Sequence, residues 1–172
     1  MVKVVDHGTW RLAAADERLH PPGPEPLWNE SYYFDFAAAD GSVGGYLRLG
    51  LYPNLGQAWY WAAITGPGRP LVLVADNAAP LPARGQTDLR TGSCTAAQEI
   101  TEPLAVARVE VDATAAVLAE PAAAYADLAA APVTRLALSL EWATVGGVYP
   151  YKDMSRYEIP CRVSGTARVG DE

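Results

Sequence analysis

The stretch LWNESYYFDFAAADGSVGGYLRLGLYP, residues 27–53, carries the alternation that decides the fold. Counting by twos, Trp28, Glu30, Tyr32, Phe34 and Phe36 share one face of an extended chain. Asn29, Ser31, Tyr33 and Asp35 share the other. Side chains on a strand alternate between faces, so the first row points toward an apolar interior and the second mostly toward water. AADGS, at 38–42, is a turn cluster between two apolar runs. Glu30 is the exception in the apolar row. It is either a carboxyl with chemistry to perform or one tied up by an arginine.

Outward from this stretch the punctuation stays that of an all-β chain. Strands are expected near 28–37, 43–52, 57–65, 70–76, 86–91, 94–100, 104–113, 134–144 and 156–169. In TRLALSLEW, Leu136, Leu138, Leu140 and Trp142 face one way while Arg135, Ser139 and Glu141 face the other. In YEIPCRVSGTARV, Tyr157, Ile159, Cys161, Val163, Ala167 and Val169 form the inner row. Such patterning belongs to an antiparallel sheet with one solvated face. QAWYWAAITG and LVLVAD are apolar on both faces, so this part of the sheet needs cover from both sides. The one good helix candidate is EPAAAYADLAAAP, with Pro121 at its first position and Pro132 closing it. A helix of about ten residues is some 15 Å long and shields only part of one face. Self-association, or pairing with a second barrel through residues 57–76, is expected to complete the cover.

About eight or nine antiparallel strands with one short helix most naturally close into a barrel whose interior holds one small ligand. An open sandwich is the alternative. Residues 1–27 read as a lead-in, with a short helical turn over Leu12–Leu19 ahead of the helix-breaking HPPGPEP. Residues 28–172 read as one barrel domain.

Composition narrows the function. With 50% hydrophobic and 19% charged residues the chain is an ordinary globular domain, and its net charge of −7 argues against nucleic acid or an anionic membrane as partner. The N-terminal stretch has no apolar core of signal-peptide length, and no run approaches the roughly 18 apolar residues that span a bilayer. No membrane insertion and a cytoplasmic location are therefore expected. Cys94 and Cys161 read as two free, largely buried thiols, a disulfide being the alternative.

Several motifs fall away on inspection. LVLVADN lacks a neighbouring G-x-G-x-x-G, and GPGRP leads into a strand, so no nucleotide cradle and no cofactor is expected. His7 and His20 lie in the lead-in without a second pair of ligands, and read as solvated loop histidines rather than a metal centre. TGSCTA lacks the G-x-S-x-G elbow around Ser93 and Cys94.

The aromatic set is more telling. Five Trp and nine Tyr against two Phe favour large side chains with a polar tip, which line wet cavities and interfaces. Trp28, Tyr32, Phe34, Trp59, Trp61, Trp142 and Tyr157 are the candidate ligand-binding residues, with a bound molecule expected near the indoles of Trp59 and Trp61. Between Trp28 and Tyr32 the Glu30 carboxyl loses hydration, which favours its neutral form and suits it to donate a proton. The plainer alternative pairs Glu30 with Arg48 or Arg162.

These residues also carry a family likeness. NESYYFDF resembles the E-W-W-Y-F-type opening strand of lipocalin-like proteins related to carotenoid 1,2-hydratase and the AttH proteins. GGYLRLGLYPNLGQAWYWAAITGPGRP, residues 44–70, is similar to an actinobacterial branch of that kind. The resemblance runs from about His20 to the end, with Glu30, Tyr32 and Tyr33 at motif positions. It implies a lipocalin-like (calycin) barrel, usually one of two in tandem, so this chain is expected to be the N-terminal barrel of such a pair. It also implies a terpenoid- or polyketide-like ligand, which some members hydrate or cyclise without a cofactor. The enzyme reading of these residues is cofactor-free hydration, isomerisation or cyclisation, with Glu30 as the acid and a tyrosine orienting the substrate. A non-catalytic binding or interaction domain is the alternative.

Overall fold

The computed structural model describes residues 12–126, 128–152 and 154–171. Eleven strands run through them: β1 (Glu30–Ala37), β2 (Gly44–Tyr52), β3 (Gln57–Thr65), β4 (Leu71–Pro80), β5 (Leu89–Arg90), β6 (Cys94–Glu102), β7 (Val106–Leu118), β8 (Val133–Thr144), β9 (Tyr149–Pro150), β10 (Tyr157–Glu158) and β11 (Cys161–Val169). Every pairing is antiparallel. Nine strands make one sheet that curls into a nearly closed barrel, while β9 and β10 form a separate two-stranded ribbon.

The opening alternation becomes the inner wall. Tyr32 lies opposite Leu49 and Phe34 opposite Leu47, and these in turn lie opposite Tyr60 and Ala62 of β3. The turn between β1 and β2 is held by the Ser42 N–H donating to Asp40 Oδ1 at 2.9 Å, with Gly41 at φ 71°. Only a residue without Cβ adopts that angle freely. On β8, Leu136, Leu138, Leu140 and Trp142 are all buried, as their spacing required. Leu47, Leu49, Tyr60, Leu89, Val109 and Leu136 are each at most 1% exposed, so the middle of the barrel is packed with side chains. Each such leucine contributes on the order of 1.5–3 kcal/mol by leaving water.

Three local expectations are revised. The strand placed at 156–169 is interrupted at Ile159–Pro160, because a proline brings no N–H to the ladder. Its two parts are β10 and β11. β7 runs on to Leu118 and forks the sheet. One of its edges pairs with β8 over Val106–Ala116, while the other takes β6 over Val106–Ala113 and β4 over Ala116–Leu118. The segment expected as a helix winds instead as two 3-10 turns, Pro121–Tyr125 and Leu128–Ala130, with Ala126 extended after the first. A segment this short lies below the length at which an isolated α-helix sustains itself. The turns still supply cover: Ala124, Leu128 and Ala131 pack on Ala63, Leu73, Ala116 and Leu118 of the outer sheet face.

Closure is incomplete where β5, among the described residues, pairs only with β6, and again at the seam between β1 and β11. Among the described residues β1 pairs only with β2, and β11 only with β8. Trp142 of β8 spans the gap. Its indole N–H donates to the Asp35 carbonyl at 2.8 Å, and the Phe34 ring lies 5.0 Å from its own. β11 is held close to β8 by Gly165 at φ 137°, where a Cβ would run into the Ser139 carbonyl oxygen.

Trp142→Phe keeps an aromatic ring in the seam but leaves the Asp35 carbonyl without its donor. A loss of about 1–3 kcal/mol is expected from such an orphaned acceptor, read as a lower denaturation midpoint with β-sheet circular dichroism retained. An unchanged midpoint would show that the seam closes without this bond.

Candidate functional site

The chain ahead of β1 straps across one end of the barrel. Leu12 is buried against Leu104 and Val148, and a 3-10 turn follows over Ala14–Glu17. Glu17 then staples the strap: its carboxylate accepts the Leu104 N–H at 2.5 Å and the Tyr157 hydroxyl at 3.0 Å. Leu104 occupies the third position of the Glu102–Ala105 turn, with φ 60° and Pro103 before it. That position of a type II turn ordinarily falls to glycine. Burial of the Leu104 side chain and the Glu17 hydrogen bond hold the strained residue there.

Between the strap, the free edge of β1 and the β9–β10 ribbon lies a cleft of about 1120 Å³. Six of the eight site residues expected from sequence line it: Trp28, Glu30, Tyr32, Phe34, Trp142 and Tyr157. They come from the lead into β1, β1 itself, β8 and β10, brought together by the seam. Trp59 and Trp61 are elsewhere. They point outward from β3, their rings 6.4 Å apart, and Tyr52 stacks on Trp59 at 4.3 Å. The buried residue between them, Tyr60, takes the inner face. A molecule in the cleft would not lie against these two indoles.

Glu30 is paired, but with neither expected arginine. His20 donates its backbone N–H to Glu30 Oε2 at 2.9 Å, and its ring Nδ1 lies 2.7 Å from the same oxygen. The Glu30 side chain is 22% exposed, so it is a partly solvated partner and not an isolated buried acid. Arg48 sits over the Trp61 ring at 5.2 Å and donates to the Tyr52 hydroxyl. His20 is therefore no free loop histidine, whereas His7 lies outside the described residues. Sequence reasoning missed both His20 and Glu17. Their only signal was a histidine and a carboxylate in the lead-in, ahead of prolines that turn the chain back over the barrel.

The phenols around the cleft stay protonated well above neutrality. Burial pushes Tyr32 up to about 12, with the Glu30 and Glu17 charges adding to the effect. Burial and Glu17 raise Tyr157 further. Cys161, at the cleft wall, is raised by burial, and Cys94, in the core, is pushed by burial up to about 11. Both cysteines are free thiols, and raised values leave them poor nucleophiles. Among the described residues no three His, Cys, Asp or Glu side chains are grouped to hold a metal ion. The cleft thus offers neutral hydroxyl donors, an aromatic wall and one carboxylate–imidazole pair, a set suited to hydrogen bonding and proton transfer.

The chain belongs to the family described as a domain of unknown function (DUF7064), whose model matches residues 13–172. The match takes in the strap as well as the barrel. No curated protein and no solved structure matches the chain. No helix among the described residues is long and apolar enough to cross a membrane.

The tyrosine shifts fix an alkaline limit. Tyr32 is raised in the folded state from an ordinary value of 10.0 to about 12, so its contribution to stability is complete below pH 10 and is lost as pH rises toward 12. Absorbance titration should show exposed tyrosines ionising near pH 10, with a late group that titrates only as the sheet signal in circular dichroism decays. Simultaneous titration of all tyrosines near pH 10 in a folded chain would contradict the burial of Tyr32, Tyr60 and Tyr157.

Proposed function

We propose that this chain of the DUF7064 family binds a small apolar or amphipathic molecule in the seam cleft. The observation that carries the reading is the cleft itself: Trp28, Phe34 and Trp142 form an apolar wall, and the Glu30–His20 pair stands within it. Aromatic side chains with convergent polar groups are common in small-molecule sites, and Asp16, Arg18, Asp35, Arg156 and Glu158 add charge to the lining here. The likeness of NESYYFDF to the carotenoid 1,2-hydratase and AttH proteins favours a terpenoid- or polyketide-like body and cofactor-free acid–base chemistry.

Two features support the cleft over the barrel interior as the binding place. The interior is filled by its own leucines and valines, so a guest there would have to displace packed side chains at a cost of several kcal/mol. The cleft opens where β1 and β11 leave each other unpaired, and a ligand enters without breaking a ladder.

Titration with farnesol and with medium-chain fatty acids should change tryptophan emission saturably. Trp28→Ala should weaken the binding by about tenfold, the effect of losing about 1.4 kcal/mol of contact. Trp59→Phe and Trp61→Phe should leave the affinity unchanged. Absence of saturable binding across the panel, or loss of binding only in the Trp59 and Trp61 variants, would overturn the assignment.

A further inference from the structure

We propose that His20 is the proton-transfer group of the cleft, acting as a general base through Nε2, and that Glu30 is its positioning residue. This deepens the reading of the cleft as a ligand site and rests on it. It also reverses the roles expected from sequence, where Glu30 alone was the acid.

The geometry of the pair carries the inference. One oxygen, Glu30 Oε2, receives both the backbone N–H of His20 and its ring Nδ1, at 2.9 and 2.7 Å. Two contacts from one residue to one atom fix the direction of the ring as well as its position. With Nδ1 donating to the carboxylate, the neutral imidazole carries its free lone pair on Nε2. Among the described residues no group binds that nitrogen. The second Glu30 oxygen, Oε1, likewise has no protein donor there, so the carboxylate serves the histidine and nothing else.

The backbone around His20 is stiff in a way that an incidental surface pair does not need. Pro21 follows it directly, which confines His20 to extended backbone, and Pro22 fixes the next step. Asn54 then pins the loop beyond, donating from Nδ2 to the carbonyls of Gly23 at 2.9 Å and Glu25 at 2.8 Å. On the other side Leu19 packs against the barrel core. The imidazole is thus held between two anchored points, with its ring 46% exposed and in the cleft lining beside Trp28 and Tyr32. A base has to be reachable and pre-oriented, and this histidine is both. Glu17, another carboxylate of the cleft lining, is excluded from the role because both its oxygens are occupied by Leu104 and Tyr157.

The reaction class that follows is removal of a proton from carbon or from a water or hydroxyl. His20 Nε2 takes the proton, and the electron pair of the broken bond moves into the substrate. In an isomerisation the same imidazolium returns the proton at another carbon, so no oxidant, reductant or co-substrate enters.

The test uses 5-nitrobenzisoxazole, an aromatic probe of general bases, with the full chain. Transfer of its isoxazole C3–H proton to the base sends the C–H electron pair into a forming nitrile. The N–O bond breaks with its electron pair going to oxygen, so the ring opens to one coloured molecule that carries both the nitrile and the nitrophenolate. The expected result is saturable turnover faster than free imidazole at equal concentration. His20→Gln should lose on the order of 100-fold in kcat, the lower end of what general-base catalysis supplies, with an unchanged melting temperature because the ring is half exposed. Glu30→Gln should lower kcat with KM little changed, and Glu30→Asp should recover part of the loss. A wild-type rate no greater than imidazole, or equal rates in His20→Gln, would overturn the proposal.

The 3-methyl analogue of the probe, which lacks the C3–H proton that the elimination removes, separates the two claims through tryptophan quenching. Binding of the analogue without turnover of the probe overturns the role of His20 and leaves the ligand site standing. Failure of both the analogue and farnesol to bind overturns the site, and the proposal with it.

Discussion

The indole N–H of Trp142 reaching the Asp35 carbonyl is the contact on which the arrangement of this domain turns. A barrel must either join its first and last strands or protect two raw edges. Here the edges of β1 and β11 stay apart, and one side chain from β8 stands in for the missing ladder. The aromatic rings of Phe34 and Phe36 pack around that indole at 5.0 and 6.4 Å and keep it in place. Because a side chain closes the gap at one level only, the rest of the seam remains open. The cleft is what that opening leaves.

The strap before β1 converts the opening into a shaped site. Without it, the barrel end around Leu104 and Val148 would be bare. Leu12 fills that end and Glu17 locks it to Leu104 and Tyr157. The same strap delivers His20 to Glu30, so the structural staple at Glu17 and the imidazole that meets Glu30 lie three residues apart on one segment. The two jobs fall to different carboxylates. Glu17 spends both oxygens on the fold, and Glu30 spends one on the histidine.

Much of this was legible in the residues. Period-two alternation in residues 28–37 and 134–142 assigned the inner rows correctly, and turn clusters such as AADGS and GPGRP separated strands where expected. Alternation is ambiguous where both faces of a strand are apolar. QAWYWAAITG is apolar on both faces, so alternation alone could not say whether Trp59 and Trp61 or Tyr60 looks inward. The register with Leu49 of β2 decides for Tyr60. The Ala-rich segment carried helix propensity but too little length to express it. Pairing of His20 with Glu30, ten residues apart, depends on the path of HPPGPEP, whose direction no local pattern encodes. The fork of β7 was invisible for the same reason, since pairing partners are a property of the whole sheet.

The central claim is that the working space lies at the seam and not inside the packed barrel. The most direct measurement is a crystal structure of the protein soaked with a terminally brominated fatty acid, the bromine located by its anomalous scattering. The account predicts a single bromine position in the cleft beside Trp28, Phe34 and Trp142. Bromine within the barrel among Leu47, Val111 and Leu138, or on the outer face over Trp59 and Trp61, would contradict it.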